Sequence, residues 1–268
     1  MGENAREPSL YWQSYGATIS RIADRWFISI HITTEQTPSL CKSQAVVGVD
    51  LGVKKLATLS TGESFEGAAP LKKKLQKLKR LSRNLSRKEK GSCNREKAKK
   101  KLARLHYQIS CARQDSLHKL TTYLTDNFKA IVIEDLDVSQ MLKNSRLSRS
   151  IADMGFFEFK RQLLYKAELK GNLIEIADRF FPSSKTCSSC GKKKETLTLS
   201  DRVYTCSCGL SVDRDLNAAI CLKNLFNTVS STGIDDCGQG GSAVLSQDGT
   251  ATSLAEAVTR PCTDLYRS

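Results

Sequence analysis

The chain has 268 residues, with 42 Lys and Arg against 28 Asp and Glu, a formal net charge of +14 and a sequence pI near 9.4. A composition 40 % hydrophobic and 26 % charged suits a chain able to bury a core in one or two domains, and it excludes collagen-like, disordered and coiled-coil classes. No run reaches the roughly 18–20 apolar residues of a membrane span. The first 30 residues lack the charged-then-apolar pattern of a signal peptide, so a cytoplasmic protein with no membrane partner is expected, and the basic balance points to a polyanion, nucleic acid first.

In chain order, the segments Tyr15–Ile22 and Arg25–Ile32 alternate apolar and polar residues around Ala23-Asp24, which predicts a β-hairpin. Ala45 to Ser60 joins an apolar run ending in Asp50 to a turn and a second strand; an unbroken apolar run suits a strand covered on both faces. Residues 71–104 hold 16 Lys and Arg against only Glu89 and Glu96, with Leu71, Leu75, Leu78, Leu81 and Leu85 at helical spacing. Two antiparallel helices broken near Gly91-Ser92 are predicted, the second running through Leu102, Leu105 and Ile109 towards Leu124. A solvated helical arm is the plain reading of this stretch. Such a density of one charge sign is costly by self-repulsion, which favours phosphate contact.

Another buried-type strand follows Phe128 and closes in Glu134. Met154–Lys170 reads as one amphipathic helix with Phe156, Phe159, Leu163 and Ala167 on one face, stopped by Gly171, and Asn172–Ala177 as a third strand. Asp213 and Asp215 open a last helix with acidic caps. From Asn227 onward the chain nets −3, is rich in Gly, Ser and Thr and lacks an apolar period, which reads as a flexible acidic tail. Strands alternating with helices predict an α/β layer architecture.

Ten cysteines are present, four of them as close pairs, Cys187/Cys190 and Cys206/Cys208, while Cys41, Cys93, Cys111, Cys221, Cys237 and Cys262 are scattered. Close pairs in a reducing compartment read as a metal site rather than disulfides. Four thiolates on two tight turns form a closed tetrahedral shell for structural Zn²⁺, a zinc ribbon with no open position for substrate. The glycine after each pair lets the turn wrap backbone N–H groups around sulfur. The second pair is a one-residue-gap knuckle, and Cys221 is expected in the core rather than as a fifth ligand.

Asp50 and Glu134 close buried-type strands and Asp215 lies in the first turn of the last helix. Sites in open α/β sheets gather at strand ends, so these three acids can converge. Converging carboxylates repel one another unless divalent cations sit between them, and hard oxygen ligands suit Mg²⁺ or Mn²⁺. Two such ions activate water and stabilise the leaving oxygen in phosphodiester cleavage. Each acid also has an ordinary structural role open to it: a helix cap for Asp213 or Asp215, a strand-end turn for Asp50, a surface ion pair for Glu134. A Ser-His-Asp hydrolase is poorly supported by His31, His106 and His118, and no Walker A or GxGxxG loop occurs.

Gly48-Val-Asp50-Leu-Gly, Ile133-Glu134-Asp-Leu, Ser184-Lys-Thr-Cys187-Ser-Ser-Cys190-Gly, Leu199-Ser-Asp-Arg-Val-Tyr-Thr-Cys206 and Asp213-Arg-Asp215-Leu-Asn-Ala-Ala together resemble the TnpB (OrfB) proteins of insertion sequences, in order and separation, over about residues 15–226. The resemblance implies an RNase H-like nuclease domain of the RuvC type with an inserted zinc ribbon, and RNA-guided cleavage of DNA beside a short transposon-associated motif, as in the related type V CRISPR effectors. Carried over, the catalytic metal ligands would be Asp50, Glu134 and Asp215, the zinc ligands Cys187, Cys190, Cys206 and Cys208, the cofactors Zn²⁺ with Mg²⁺ or Mn²⁺, and the partners DNA and a guide RNA. The basic helices at about 71–120 would lie along the guide–target heteroduplex. The implied divisions are 1–44, remnant of a wedge β-barrel in a chain that looks N-terminally truncated; 45–182, RuvC-like domain; 183–209, zinc ribbon; 210–226, last RuvC motif and helix; and 227–268, the tail. Two other readings stay open: a non-catalytic DNA- or RNA-binding remnant, and a DDE-style transposase, which a ribbon between Glu134 and Asp215 fits less well.

Overall fold

A computed structural model describes residues 13–33, 43–195, 197–198 and 201–231. The described residues fall into two units, one holding residues 13–33 and the other residues 43–231. In the first, β1 (Gln13–Ile22) and β2 (Arg25–Thr33) form an antiparallel hairpin that pairs Ile19 with Ile28 and Arg21 with Trp26. The Arg21 guanidinium lies 5.2 Å from the Trp26 ring centre. Where a barrel remnant is expected over 1–44, the described residues hold a two-stranded hairpin and no barrel. Cys41, Cys237, Cys262 and the acidic tail beyond Ser231 fall outside the described residues.

The second unit is built on a five-stranded sheet of β3 (Val46–Leu51), β4 (Ala57–Leu59), β5 (Ser64–Phe65), β6 (Ala130–Glu134) and β7 (Leu173–Ala177), ordered β5-β4-β3-β6-β7. The first three pair antiparallel; β3, β6 and β7 run parallel. Side chains alternate between faces along a strand. Val47, Val49, Ile131 and Ile133 therefore point to one face, where they join Leu117, Leu120, Leu124, Phe159 and Leu163 in the main core. Val132 points to the other and packs with Ala177 and Leu222. Burying each such aliphatic side chain contributes roughly 1.5–3 kcal/mol, and cover on both faces is what the unbroken apolar runs require.

The basic stretch forms α1 (Pro70–Ser86) and α2 (Cys93–Asn127), a helical hairpin turned at Gly91-Ser92, with the Ser92 hydroxyl accepting from the Arg95 amide at 3.2 Å. Leu71, Leu78, Leu81, Leu105 and Ile109 hold the two helices together. Its root is fixed by buried Asp153, whose carboxylate accepts from the Leu71 and Lys72 amides at 3.1 and 3.0 Å and from Arg113 at 3.2 Å. This acid supplies the cap that α1 lacks locally.

After β6 come α3 (Val138–Lys143), α4 (Ser148–Met154) and α5 (Phe156–Lys170). The helix expected over 154–170 is α5, which starts two residues later, Met154 closing α4 on the far side of Gly155; the periodic face Phe156, Phe159, Leu163 and Ala167 is buried as expected. Then follow β7, a 3-10 turn at Ser183–Lys185, the short hairpin of β8 (Val203–Thr205) and β9 (Ser211–Asp213), and α6 (Arg214–Ser231). The last helix runs past 227, where the sequence suggests that the tail begins. Among the described residues no helix is long and apolar enough to cross a membrane.

Candidate active site

Strand parity decides which acids can meet. Asp50 lies two residues beyond Gly48, and Glu134 two beyond Val132, so both point to the sheet face that α6 covers. In the parallel register Val49 pairs with Ile133, and the next residues along the two strands are Asp50 and Glu134. Helix α6 crosses β3 at Gly48: a Cβ there would lie 2.0 Å from the Ala219 carbonyl oxygen and 2.6 Å from the Lys223 nitrogen. Only glycine permits this approach. Asp215 is one helical turn before Ala219, at the end of α6 that faces the two strand-end acids.

The electrostatics follow. Burial raises the Asp50 carboxyl from 3.8 to about 8, and repulsion from Glu134 and then Asp215 adds to the shift, against a smaller opposing effect of Arg214. Burial also raises Glu134, opposed by a hydrogen bond that the Ser183 hydroxyl donates to its Oε1. Asp50 thus lies within electrostatic reach of both Glu134 and Asp215, acids distant from it in sequence, and carboxylate oxygens are the hard donors that divalent cations such as Mg²⁺ or Mn²⁺ prefer.

Their neighbours are engaged elsewhere. The Asp213 carboxylate accepts from the Asp215 and Leu216 amides at 3.0 and 3.2 Å, capping α6. Asp135, on the opposite parity from Glu134, pairs with Lys160 at 3.0 Å and with Arg179, which hold its carboxyl below the usual range. Ser183 carries no signal in the sequence as a partner of Glu134, because nothing local to the Pro-Ser-Ser turn shows which strand it will meet.

The four paired cysteines also come together. Their sulfurs lie within 4.8 Å of one another, with Cys187–Cys208 and Cys190–Cys206 each at 3.6 Å. A tetrahedral ion with 2.3 Å bonds to sulfur needs sulfurs about 3.8 Å apart, so this set fits one. Both knuckles close through a glycine in the left-handed region, Gly191 (φ 73°) and Gly209 (φ 92°), whose amides donate to the Cys187 and Cys206 carbonyls at 3.0 and 3.1 Å. The one-residue gap of the second pair is accommodated. A backbone N–H from Cys208 holds the Cys206 thiol down at about 6. Burial pushes Cys221 up to about 12, and its thiol donates to the Thr186 carbonyl at 3.2 Å, apart from the four.

Three residues on one face of α6 grip the first knuckle. Buried Asn217 donates to the Thr186 carbonyl at 2.7 Å and accepts from the Ser188 amide at 3.0 Å; Asn224 donates to the Ser188 carbonyl at 3.0 Å; Cys221 makes the contact above. The helix that carries Asp215 is therefore anchored to the turn that carries Cys187.

A family model of the OrfB type, described as “Probable transposase”, matches residues 29–145, and one described as “Cas12f1-like, TNB domain” matches residues 156–222. Among curated proteins, a “Putative RNA-guided DNA endonuclease” of Streptomyces pristinaespiralis is 43 % identical over 75 % of this chain and 50 % of its own length. The Escherichia coli K12 protein “Putative RNA-guided DNA endonuclease InsQ” is 38 % identical over 81 % of this chain and 61 % of its own. A “TnpB-like protein” of Acanthamoeba polyphaga mimivirus is 27 % identical over 70 % of this chain and 38 % of its own. A solved complex of Cas12f1 with sgRNA and target DNA aligns with a TM-score of 0.49 and 17 % identity, covering 77 % of this chain and 55 % of that one. The chain spans about half the length of the curated relatives it matches.

Proposed function

The chain belongs to the TnpB (OrfB) family of insertion-sequence proteins, and on that premise we propose that it is an RNA-guided, divalent-metal-dependent DNA endonuclease in which Asp50, Glu134 and Asp215 hold the metal. The sheet order, with two antiparallel strands on one side of β3 and two parallel strands on the other, supports reading the larger unit as an RNase H-like domain of the RuvC type. The β1–β2 hairpin is read as part of a β-barrel, and the Cys187, Cys190, Cys206, Cys208 cluster as a structural Zn²⁺ site.

When bound, two Mg²⁺ or Mn²⁺ ions would supply an activated water and neutralise charge on the leaving oxygen. The residues do the rest. Asp50, whose carboxyl is raised by burial and by Glu134 and Asp215, would hold an ion as the carboxylate, its proton passing to solvent. Ser183 steers Glu134, and Asp213 fixes the helix end that presents Asp215. Sixteen Lys and Arg in 71–104 line an arm suited to the phosphates of a guide–target duplex, which is read by shape and backbone rather than base edges.

The observation that carries this reading is the placing of Asp50 and Glu134 at neighbouring positions of adjacent parallel strands, on the face that α6 crosses at Gly48 with Asp215 in its first turn. With Mg²⁺, the chain and its co-purifying RNA are expected to cut matched DNA. Asp50→Ala should remove cutting by at least a hundredfold and leave DNA affinity within about twofold, since one of many charges is altered. A wild-type chain that binds DNA and never cuts it would favour a binding-only role; cutting that survives Asp50→Ala would move the metal elsewhere.

A further inference from the structure

Phe180 has the highest exposure among the large apolar side chains of the described residues, 87 %. Single exposed apolar residues are common and need no role; what sets this one apart is how firmly its backbone is held. The Phe180 and Phe181 amides both donate to Asp178, to Oδ1 at 2.7 Å and to the carbonyl at 2.9 Å, and the Ser183 amide donates to the Phe181 carbonyl at 2.9 Å. On one side Arg179 is locked to Asp135 through Nε at 3.0 Å. On the other, Phe181 packs inward against the Val132, Ala177 and Leu222 cluster. Two adjacent phenylalanines thus divide the work: one anchors the turn and the other is held out in water.

The position is also particular. Ala177 pairs with Glu134 across the β6–β7 ladder, and Ser183 donates to the Glu134 carboxylate. Phe180 lies midway between them in sequence, so its Cα is within roughly 10 Å of each. A solvent-facing aromatic ring on a firmly held turn, a few residues from Glu134's neighbours Ala177 and Ser183, has the form of a stacking platform, and every nucleobase offers a face to such a ring. We propose that Phe180 stacks on a base of the single DNA strand whose phosphate enters the Asp50–Glu134–Asp215 cradle, setting that strand's register. The inference rests on the nuclease reading for the identity of the strand.

The test is the affinity of the whole purified chain for a fluorescently labelled single-stranded DNA oligonucleotide, with Ca²⁺ in place of Mg²⁺ and at about 0.3 M salt to suppress binding through phosphates alone. Phe180→Ala is expected to weaken binding roughly tenfold, Phe180→Trp to retain it, and Phe180→Leu to behave as Ala, because stacking needs a ring rather than bulk. All three should melt with the wild type, the side chain being almost fully exposed. A 2-aminopurine moved along the strand should respond at one position in the wild type and Phe180→Trp, and at none in Phe180→Ala. Wild-type affinity in Phe180→Ala, full recovery by Leu, or no responsive position overturns the proposal. Because cleavage is not read, a chain that stacks through Phe180 and never cuts with Mg²⁺ sinks the nuclease reading alone, whereas one that cuts and ignores Phe180→Ala sinks the stacking alone.

Discussion

Asp50 is a partly buried acid within β3. Its folded-state carboxyl sits at about 8 against 3.8 when free, so between those values the unfolded chain ionises it while the metal-free fold keeps it protonated. The unfolded state then holds fewer protons, and stability, full below about pH 4, falls as pH rises to about 8 and is level beyond. Asp50→Asn removes that titration. Without added Mg²⁺ or Mn²⁺ the variant should match the wild type near pH 4 and exceed it at pH 8, the shift from 3.8 to about 8 setting an upper bound of roughly 5 kcal/mol. Thermal melts at the two pH values check this, and a gap that does not widen with pH would count against the raised carboxyl. Glu134 is likewise raised by burial, and the Ser183 hydroxyl pulls the other way.

At the scale of elements, the contact that matters is α6 over β3. The helix lies so close at Gly48 that a methyl group would meet backbone atoms rather than a yielding side chain. Gly48→Ala must lift the helix that carries Asp215, and overpacking of this kind costs about 1–3 kcal/mol. The variant should lose that much in denaturant titration and lose cleavage more steeply than stability. Gly16→Ala, where nothing lies within 4 Å, serves as the neutral control. Equal behaviour of the two variants would mean that the helix is free to shift. The root of the basic hairpin is a comparable joint, since α1 takes its cap from Asp153 on α4.

Across the molecule, the sulfur cluster and the carboxylate cradle are linked through a single helix. Asn217, Cys221 and Asn224 tie α6 to the Cys187 knuckle, and Asp215 begins that helix. Metal bound at four thiolates contributes folding energy directly. Chelation or Cys190→Ser should therefore release about one Zn²⁺ per chain, lower the melting temperature by several degrees and abolish cutting, although no cysteine belongs to the cradle. Folded wild-type protein that contains no zinc by elemental analysis would end this part of the account.

The parts whose signals are local are legible in the chain alone. Unbroken apolar runs ending in an acid marked β3 and β6, a leucine period marked the basic hairpin and its break at Gly91-Ser92, and paired cysteines followed by glycine marked the knuckles. The alternation of side chains along a strand separates Glu134 from Asp135, once the face that α6 covers is known. That face emerges with packing, because it depends on where a helix eighty residues after Glu134 lies. Ser183 as the partner of Glu134, Asp153 as the cap of α1 and the grip of Asn217 on Thr186 and Ser188 were invisible for the same reason: each joins groups whose proximity comes from sheet order and helix crossing. Local pattern sets which residues can form strands, helices and turns; the energy of a buried carboxylate exists only once the chain has closed around it.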